Sequence, residues 1–454
     1  MEIYLGTPRS LRLLRSGEEW SSHNPQGFAL RARVLNLRLS RTQVVTRIVL
    51  PFALGYFLSY LFRTINAVLS PDLVAELGLE ADDLGLLTAT YFITFAAAQL
   101  PLGILLDRYG PRRIEAALLL LAALGALVFA MGDHPAQLIV GRGLIGLGVS
   151  ACLMAAFKAF TQWFDHGQLP LVNGVIMAAG GLGALTATAP VEGLLQFMDW
   201  RGVFLILSVV TLGSATIIYL VVPDAHPRAP REDWSAQLKG IRSVFTDRFF
   251  WRVAPLTTLS QSSFISIQSL WSGPWLRDVA GLSRNDSAEV LLLIAVAMMS
   301  GFLGMGLLAE RLARLGIPPV KVSATGMLLF IAVQSVILTS PTASWVTPLW
   351  MLFGFFGTAG IIQYASLSQH FPRNLSGRVN TAVNLMVFVA AFLLQWAAGA
   401  IINQWPQVAP DHYAEAGYRA AFTLLLSLQI AAFIWFLIPG IRSRAPAHHS
   451  VPKR

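Results

Sequence analysis

The sequence Gly103-Ile-Leu-Leu-Asp107-Arg108-Tyr-Gly-Pro-Arg112-Arg113 joins two long apolar runs at residues 84–106 and 114–131. Apolar runs of this length, joined by a short loop rich in arginine, are typical of two membrane-spanning helices with a cytoplasmic connection. Gly103 is expected to allow close contact between helices. Asp107 is expected to interact with the end of a neighbouring helix. The stretch therefore predicts a cytoplasmic loop between two spans.

The composition of the whole chain agrees with this local interpretation. Apolar residues make up 55% of the 454 positions, and charged residues only 13%, about half of the roughly 25% usual in soluble proteins. A soluble multidomain enzyme is therefore excluded. The single cysteine, Cys152, rules out an intrachain disulfide and a cysteine-based zinc site, and we expect no cofactor and no metal site.

Twelve apolar runs follow one another along the chain, each long enough to cross about 30 Å of hydrocarbon as a helix. Their approximate limits are 48–70, 84–106, 114–131, 137–163, 170–195, 202–222, 253–276, 287–309, 320–340, 346–370, 378–403 and 419–439. The backbone must satisfy its own hydrogen bonds in lipid, so the runs are helices. The sequence thus predicts an all-α integral membrane protein with twelve transmembrane helices in two six-helix bundles.

The polar segments between the runs set the predicted domain limits. They give a basic cytoplasmic arm (1–46), a first bundle (47–222), a cytoplasmic central loop (223–252), a second bundle (253–440) and a cytoplasmic tail (441–454).

The basic residues predict the orientation. Of the 33 Lys and Arg residues, 26 fall in segments that lie inside when both termini are cytoplasmic, and 5 fall in outer segments or the adjoining helix ends. This bias favours cytoplasmic termini in an inner (plasma) membrane. The net charge of +9 is thereby explained without a nucleic-acid partner, and the lipid bilayer is the expected environment.

Three motifs resemble the major facilitator superfamily. The opening stretch is similar to its G-x-x-x-D-R-x-G-x-R-R signature, and a degenerate echo occurs at 306–316. The stretch "GRGLIGLG" at 141–148 is similar to its R-x-x-x-G-x-G element, with Arg142 in the arginine position. The resemblance implies the major facilitator fold, a non-enzymatic transporter working by alternating access, and a monomer.

A closer resemblance is to the organic-anion (anion:cation symporter-like) branch of that superfamily. The stretch "YLFRTINAVLSPDL" at 60–73 places Arg63 where that branch carries an arginine in helix 1, although Phe62 stands where the branch commonly has aspartate. The resemblance implies a small anionic substrate, with protons as a candidate coupling ion.

Two basic residues inside the runs are candidates for binding that substrate. Arg63 lies about 12 Å from the outer end of its run, and an arginine at this depth needs a partner or water. It is either an electrostatic contact for an anion or a structural cation bonded to helix carbonyls. Lys158 lies about 10 Å from the inner end of its run. It either contacts the substrate or snorkels to the cytoplasmic surface as an anchor.

Neutral polar residues in the second half are further candidates for substrate binding. They are Gln261, Gln268 and Trp271 in run 7, Gln363 and Tyr364 in run 10, and Asn384 in run 11. Amides next to an aromatic ring suit a carboxylate or a hydroxyl group. Hydrogen bonding between neighbouring helices is the alternative.

The predicted coupling and gating residues are Asp107, Arg108, Arg112, Arg142 and Glu192. By the resemblance, Arg142 supports either proton movement or helix packing. Glu192 is the only acidic residue well inside a run, whereas Glu115, Glu289 and Glu310 lie at helix ends. A coupling proton is therefore expected to travel on Glu192 or on the substrate.

The sequence favours a secondary transporter of a small organic anion, by proton symport or anion exchange. The alternatives are an exporter of amphipathic compounds and a non-transporting assembly factor with the same fold. A membrane enzyme would need clustered His, Asp or Cys residues at one membrane face, and the sequence offers none.

Overall fold

The computed structural model describes residues 40–164, 168–224, 242–340, 342–372, 375–409 and 412–438. The predicted arm up to residue 39, most of the central loop (225–241) and the predicted tail lie outside the described residues. The chain divides into two units, Met1–Val45 and Thr46–Arg454. In the first unit, Ser40 and Gln43 exchange hydrogen bonds at the start of the helix Arg41–Val44. The second unit carries all the features below.

Twelve helical spans, α1 to α12, correspond in order to the twelve apolar runs. Their bounds are α1 (Leu50–Thr64 and Asn66–Leu77), α2 (Ala81–Tyr109), α3 (Pro111–Ala130), α4 (Pro135–Gly148 and Cys152–Trp163), α5 (Leu169–Thr186 and Ala189–Leu195), α6 (Trp200–Val221), α7 (Arg248–Ser266, Ile267–Trp271 and Ser272–Asp278), α8 (Arg284–Arg314), α9 (Pro319–Ile337), α10 (Ala343–Gly357, Thr358–Gly360 and Ile361–His370), α11 (Ser376–Ile402) and α12 (Glu415–Leu437).

Ten of the described helices are long and apolar enough to cross a membrane by length and composition, and α2 makes eleven when its two bent parts are taken together. The bend in α2 is 57° and falls between Gln99 and Pro101, where proline removes a helical hydrogen bond. The remaining span, α7, is long but rich in serine and glutamine, many of them buried. Its polar side chains face the protein interior.

The local sequence explains the short connection between α2 and α3. α2 ends at Tyr109 and α3 begins at Pro111, so Gly110 alone connects them. Gly110 has a φ of 83°, which side-chain-bearing residues rarely adopt. Proline at the first helical position is pre-organised to start α3. The predicted connection between the two helical runs is confirmed, and it consists of a single residue.

The expectation for Gly103 is wrong. Gly103 is exposed, and a Cβ built on it meets no atom of the described residues within 4 Å. Gly306, which has the same place in the echo of the motif, is equally open. In this conformation, therefore, neither glycine is held against another helix. We call the end of the protein that carries Gly103, Asp107 and Glu310 the Asp107 end.

At the opposite end the helices of the two halves are in close contact. A Cβ at Gly273 in α7 would overlap the backbone of Ala67 in α1. A Cβ at Gly399 in α11 would overlap the backbone of Ala81 in α2. We call this end the Asp72 end. Glycine is needed at both positions because the backbones approach too closely for any side chain.

Candidate functional site

A cavity of about 350 Å³ lies between the two halves, lined by residues of α1, α2, α4, α5, α7, α8, α10 and α11. Its size falls in the range of roughly 300–1,000 Å³ that is usual for small-molecule sites. From α2 it receives Phe95 and Gln99, which follow Ala81 along the helix toward Asp107. The cavity therefore lies on the Asp107 side of the close glycine contacts.

Arg63 is the only charged residue among the described residues that line this cavity. Its side chain is 7% exposed. The guanidinium carbon lies 4.5 Å from the ring centre of Tyr60, 5.5 Å from that of Phe95 and 5.2 Å from that of Phe388. Aromatic faces stabilise a cation without neutralising it, so the positive charge remains available to a ligand.

Neutral polar groups line the cavity beside Arg63 and connect the two halves. Tyr364 Oη donates to Asn384 Oδ1 at 3.4 Å, and Asn384 Nδ2 donates to Gln99 Oε1 at 3.4 Å. These contacts join α10 and α11 to α2. Both distances are long for hydrogen bonds, so a ligand that offers better-placed oxygens can compete for the amides.

The two glutamines of α7 also line the cavity. Gln261 Nε2 donates to the carbonyl of Gly357 at 2.9 Å, where α10 passes into the tighter 3₁₀ turn Thr358–Gly360. Gln268 lies in the wider π turn Ile267–Trp271, a type of turn that often occurs at functional sites. Of the predicted binding residues, the structure thus brings together five: Arg63, Gln261, Gln268, Tyr364 and Asn384.

The other three predicted binding residues do not line the cavity. Lys158 forms an ion pair with Asp107 at 2.6 Å, with both side chains partly exposed. Trp271 is fully buried and donates to the carbonyl of Gln395 at 3.2 Å. Gln363 is also fully buried, and neither side-chain polar atom has a hydrogen-bond partner among the described residues. The geometry of Lys158 matches the anchor alternative.

Arg142 holds the segment of α1 that carries Arg63. It is fully buried, and its Nη1 donates to the carbonyl of Phe62 at 2.8 Å. Its guanidinium lies over the ring of Tyr91 at 5.4 Å, and Tyr91 Oη donates to the carbonyl of Ser59 at 3.1 Å. α4 and α2 therefore fix the α1 backbone on both sides of Tyr60.

Glu192 belongs to an ion-pair cluster at the Asp72 end. Arg284 in α8 contacts both oxygens of Asp72 in α1 at 2.8 and 2.6 Å. Its Nε lies 2.6 Å from Glu192 Oε1 in α5. This cluster joins α1 and α5 of the first half to α8 of the second, and two-pronged contact of this kind fixes geometry as well as charge.

The charged residues of the opening motif lie at the other end. Besides the ion pair of Asp107 with Lys158, the guanidinium of Arg108 lies over the ring of Tyr109, and that of Arg112 lies over the ring of Tyr219, each at 5.1 Å. All of these contacts stay within the first half. They do not join the two halves as the Arg284 cluster does.

Sequence reasoning missed several residues that the structure places at or near the site. Tyr60, Phe95, Gln99 and Phe388 line the cavity. Gln99 could have been found as a lone amide inside run 2, and Tyr60 as the residue one helical turn before Arg63. Glu115, predicted to lie at a helix end, is fully buried. No group of three or more His, Cys, Asp or Glu placed to hold a metal occurs in the described part of the chain.

Helices arranged in this way around a central cavity between two halves define the architecture of a membrane transporter. The family model described as Major Facilitator Superfamily matches residues 52–395. The chain belongs to the Major Facilitator Superfamily of secondary transporters, and the predicted fold class is confirmed.

Two relatives are transporters of bacteria. The chain is 25% identical over 348 residues to a probable sulfoacetate transporter of Cupriavidus necator, covering 68% of this chain and 80% of that protein. It is 24% identical over 316 residues to a probable L-galactonate transporter of Escherichia coli, covering 65% and 67%. Among solved structures, a bacterial homologue of the human lysosomal transporter Spinster, inward-facing and unoccupied, aligns with a TM-score of 0.71 at 16% identity, covering 87% of this chain and 97% of that one.

Proposed function

We propose that this transporter carries a small organic anion across the membrane by alternating access, with Arg63 as the electrostatic contact. The observation that carries the proposal is that Arg63 provides the only charge among the described cavity-lining residues. No carboxylate among those residues offsets it. An anion that leaves water for this cavity regains part of its lost hydration energy from the guanidinium, whereas an organic cation would be repelled.

The neutral groups favour a substrate with oxygens at both ends. A guanidinium offers a fork of N–H donors that suits a carboxylate or a sulfonate. Gln99, Gln261, Gln268 and Asn384 offer amide donors and acceptors for a second acidic group or for hydroxyls. Sulfoacetate and L-galactonate, the compounds in the names of the two relatives, both have this pattern. They are the first substrates to test.

The direction of opening follows from the predicted topology. With both termini cytoplasmic, the Asp72 end faces outward and the Asp107 end faces the cytoplasm. The cavity on the Asp107 side then belongs to a conformation that is closed to the outside. An anion entering against a negative interior is opposed by about 2.3 kcal/mol per charge per 100 mV. Electroneutral proton symport or anion exchange is therefore favoured over electrogenic uptake.

The test is counterflow in proteoliposomes, in which labelled substrate exchanges for unlabelled substrate without an ion gradient. We expect exchange of radiolabelled sulfoacetate or galactonate. Galactose serves as the matched neutral control. It should not exchange, because it has no negative charge to interact with the guanidinium of Arg63. Exchange of galactose with no exchange of any mono- or dicarboxylate or sulfonate would overturn the proposal.

A further inference from the structure

Glu115 is an acidic side chain that the transport pathway described so far does not use. It lies in the first turns of α3 and is fully buried. Neither of its carboxyl oxygens accepts a hydrogen bond from an N–H or O–H group among the described residues. The carboxyl group lies against Gly55 in α1, where the missing side chain leaves room for it. A Cβ at Gly55 would overlap Oε1 of Glu115. Glu115 therefore sits directly against the helix that carries Arg63.

The groups around Glu115 do not neutralise a charge on it. On the α4 side, the carboxyl group faces the thiol of Cys152. On the α1 side, it contacts Gly55. The titratable groups on the other packed helices contact one another: Tyr219 of α6 lies under Arg112, and Asp107 of α2 pairs with Lys158 of α4. A carboxylate buried without a cation or several donors is strongly disfavoured. The geometry therefore favours the neutral, protonated acid in this conformation.

Glu192, the carboxylate expected from the sequence to carry a proton, has the opposite surroundings. Its Oε1 forms an ion pair with the guanidinium of Arg284 at 2.6 Å. A proton carrier must pass between its charged and neutral forms during the transport cycle. No cation among the described residues forms such an ion pair with Glu115.

Glu115 is separated from the cavity only by α1 and α4. The residues next to its two contacts, Tyr56 after Gly55 and Leu153 after Cys152, line the cavity. Gly55 and Arg63 lie roughly 12 Å apart along one helix axis at 1.5 Å per residue. A movement of α1 that exposes Arg63 to the other side of the membrane therefore also changes how α1 covers the carboxyl group of Glu115.

We infer that Glu115 is the proton-binding site that couples transport, which rests on the proposed function. Its carboxylate takes up one proton from water, forming an O–H bond, while α1 and α4 leave it accessible from one side. The proton returns to water on the other side after the helices have moved. One proton moving with a monoanion such as galactonate makes the cycle electroneutral, whereas one proton leaves one charge of a dianion such as sulfoacetate uncompensated.

The first experiment detects the proton without any substrate. Infrared difference spectra of the purified protein, recorded across a pH titration, report protonated carboxyl groups. We expect a protonated-carboxyl band at neutral pH that disappears in Glu115→Gln and persists in Glu289→Gln, which removes an exposed carboxyl from α8. A band that Glu115→Gln leaves unchanged, or no such band in the wild-type protein, would overturn the inference.

The second experiment measures coupling in proteoliposomes with sulfoacetate or galactonate. A one-unit pH gradient can drive up to about tenfold accumulation per coupled proton. We expect this accumulation in the wild type and in Glu289→Gln. In Glu115→Gln it should be lost, while counterflow, which needs no gradient, stays within about twofold of wild type because glutamine mimics the neutral acid.

The two experiments separate the failure of this inference from that of the proposed function. Wild-type accumulation that persists in Glu115→Gln shows that the proton site is elsewhere. Absence of counterflow for all anions in the wild type refutes the proposed function instead, and the infrared spectra alone then decide whether Glu115 binds the proton.

Discussion

The two ends of this transporter are built differently, although the sequence gives both ends glycines at helix positions. At the Asp72 end, Gly273 and Gly399 bring the backbones of the two halves together, and Arg284 adds ion pairs to Asp72 and Glu192. At the Asp107 end, Gly103 and Gly306 face open space. Close packing and a two-pronged ion pair thus hold the Asp72 end together, whereas at the Asp107 end no described residue packs against the two motif glycines.

The difference indicates what must change when the transporter reopens. In alternating access the closed end has to separate and the open end has to close around a fixed central site. The Arg284 cluster and the glycine contacts must therefore break, and Gly103 and Gly306 become the positions at which helices can approach. A motif that packs poorly in one conformation is consistent with a role in the other.

Among the substitutions at the two ends, Gly273→Ala is expected to have the largest effect. Its new Cβ would overlap the backbone of Ala67, and overpacking of this kind costs about 1–3 kcal/mol. A cost of about 1.4 kcal/mol changes an equilibrium constant tenfold. The equilibrium between the open and closed forms of the Asp72 end should therefore shift toward the open form. Counterflow of the transported anion should fall by roughly tenfold or more, and the melting temperature of the purified protein should fall as well. An unchanged counterflow rate and an unchanged melting temperature would contradict this prediction, because they would show that the Asp72 end accommodates a side chain at Gly273.

A smaller effect is expected when Arg284 is replaced by glutamine, because the backbone contacts remain. The charged hydrogen bonds that are lost contribute about 1–2 kcal/mol. The equilibrium between the closed and open forms of the Asp72 end should therefore shift toward the open form by roughly 5–30-fold. We expect Arg284→Gln to expose the cavity from the Asp72 side. The measurement is labelling of Met177→Cys, a cavity position, with a membrane-impermeant maleimide from each side.

The background for this labelling is low because the chain has one native cysteine, Cys152, and it is fully buried. The matched control is Arg314→Gln, which removes an exposed ion pair with Glu310 within α8. Such pairs contribute little, so the labelling pattern should stay that of Met177→Cys alone. Equal labelling from the Asp72 side with and without Arg284 would contradict a gating role for the cluster.

The smallest effect is expected for Gly103→Ala. The new methyl group enters open space, and alanine stabilises a helix by about 0.5–1 kcal/mol relative to glycine. The melting temperature of the purified protein should therefore stay level or rise slightly. A fall as large as that of Gly273→Ala would mean that the Asp107 end is packed as tightly as the Asp72 end.

Sequence alone predicted the features that depend on position along the chain. The helical spans follow from run length, and the connection between α2 and α3 follows from the polar residues between two apolar runs. It could not predict which direction a side chain faces across neighbouring helices. Lys158 therefore remained undecided until its contact with Asp107 was visible, and Glu115 was taken for a helix-end residue although Gly55 and Cys152 enclose it. Such pairings join residues far apart in the chain.

The central claim is that the charge of Arg63 binds the substrate anion. Counterflow of the transported anion by Arg63→Ala, Arg63→Lys and wild-type protein tests it most directly, with membrane insertion and melting temperature recorded for each. We expect Arg63→Ala to insert and fold but not to exchange the anion, and Arg63→Lys to keep partial activity because it retains the charge without the fork of donors. Full exchange by a folded Arg63→Ala protein would contradict the account and reassign Arg63 to a structural role.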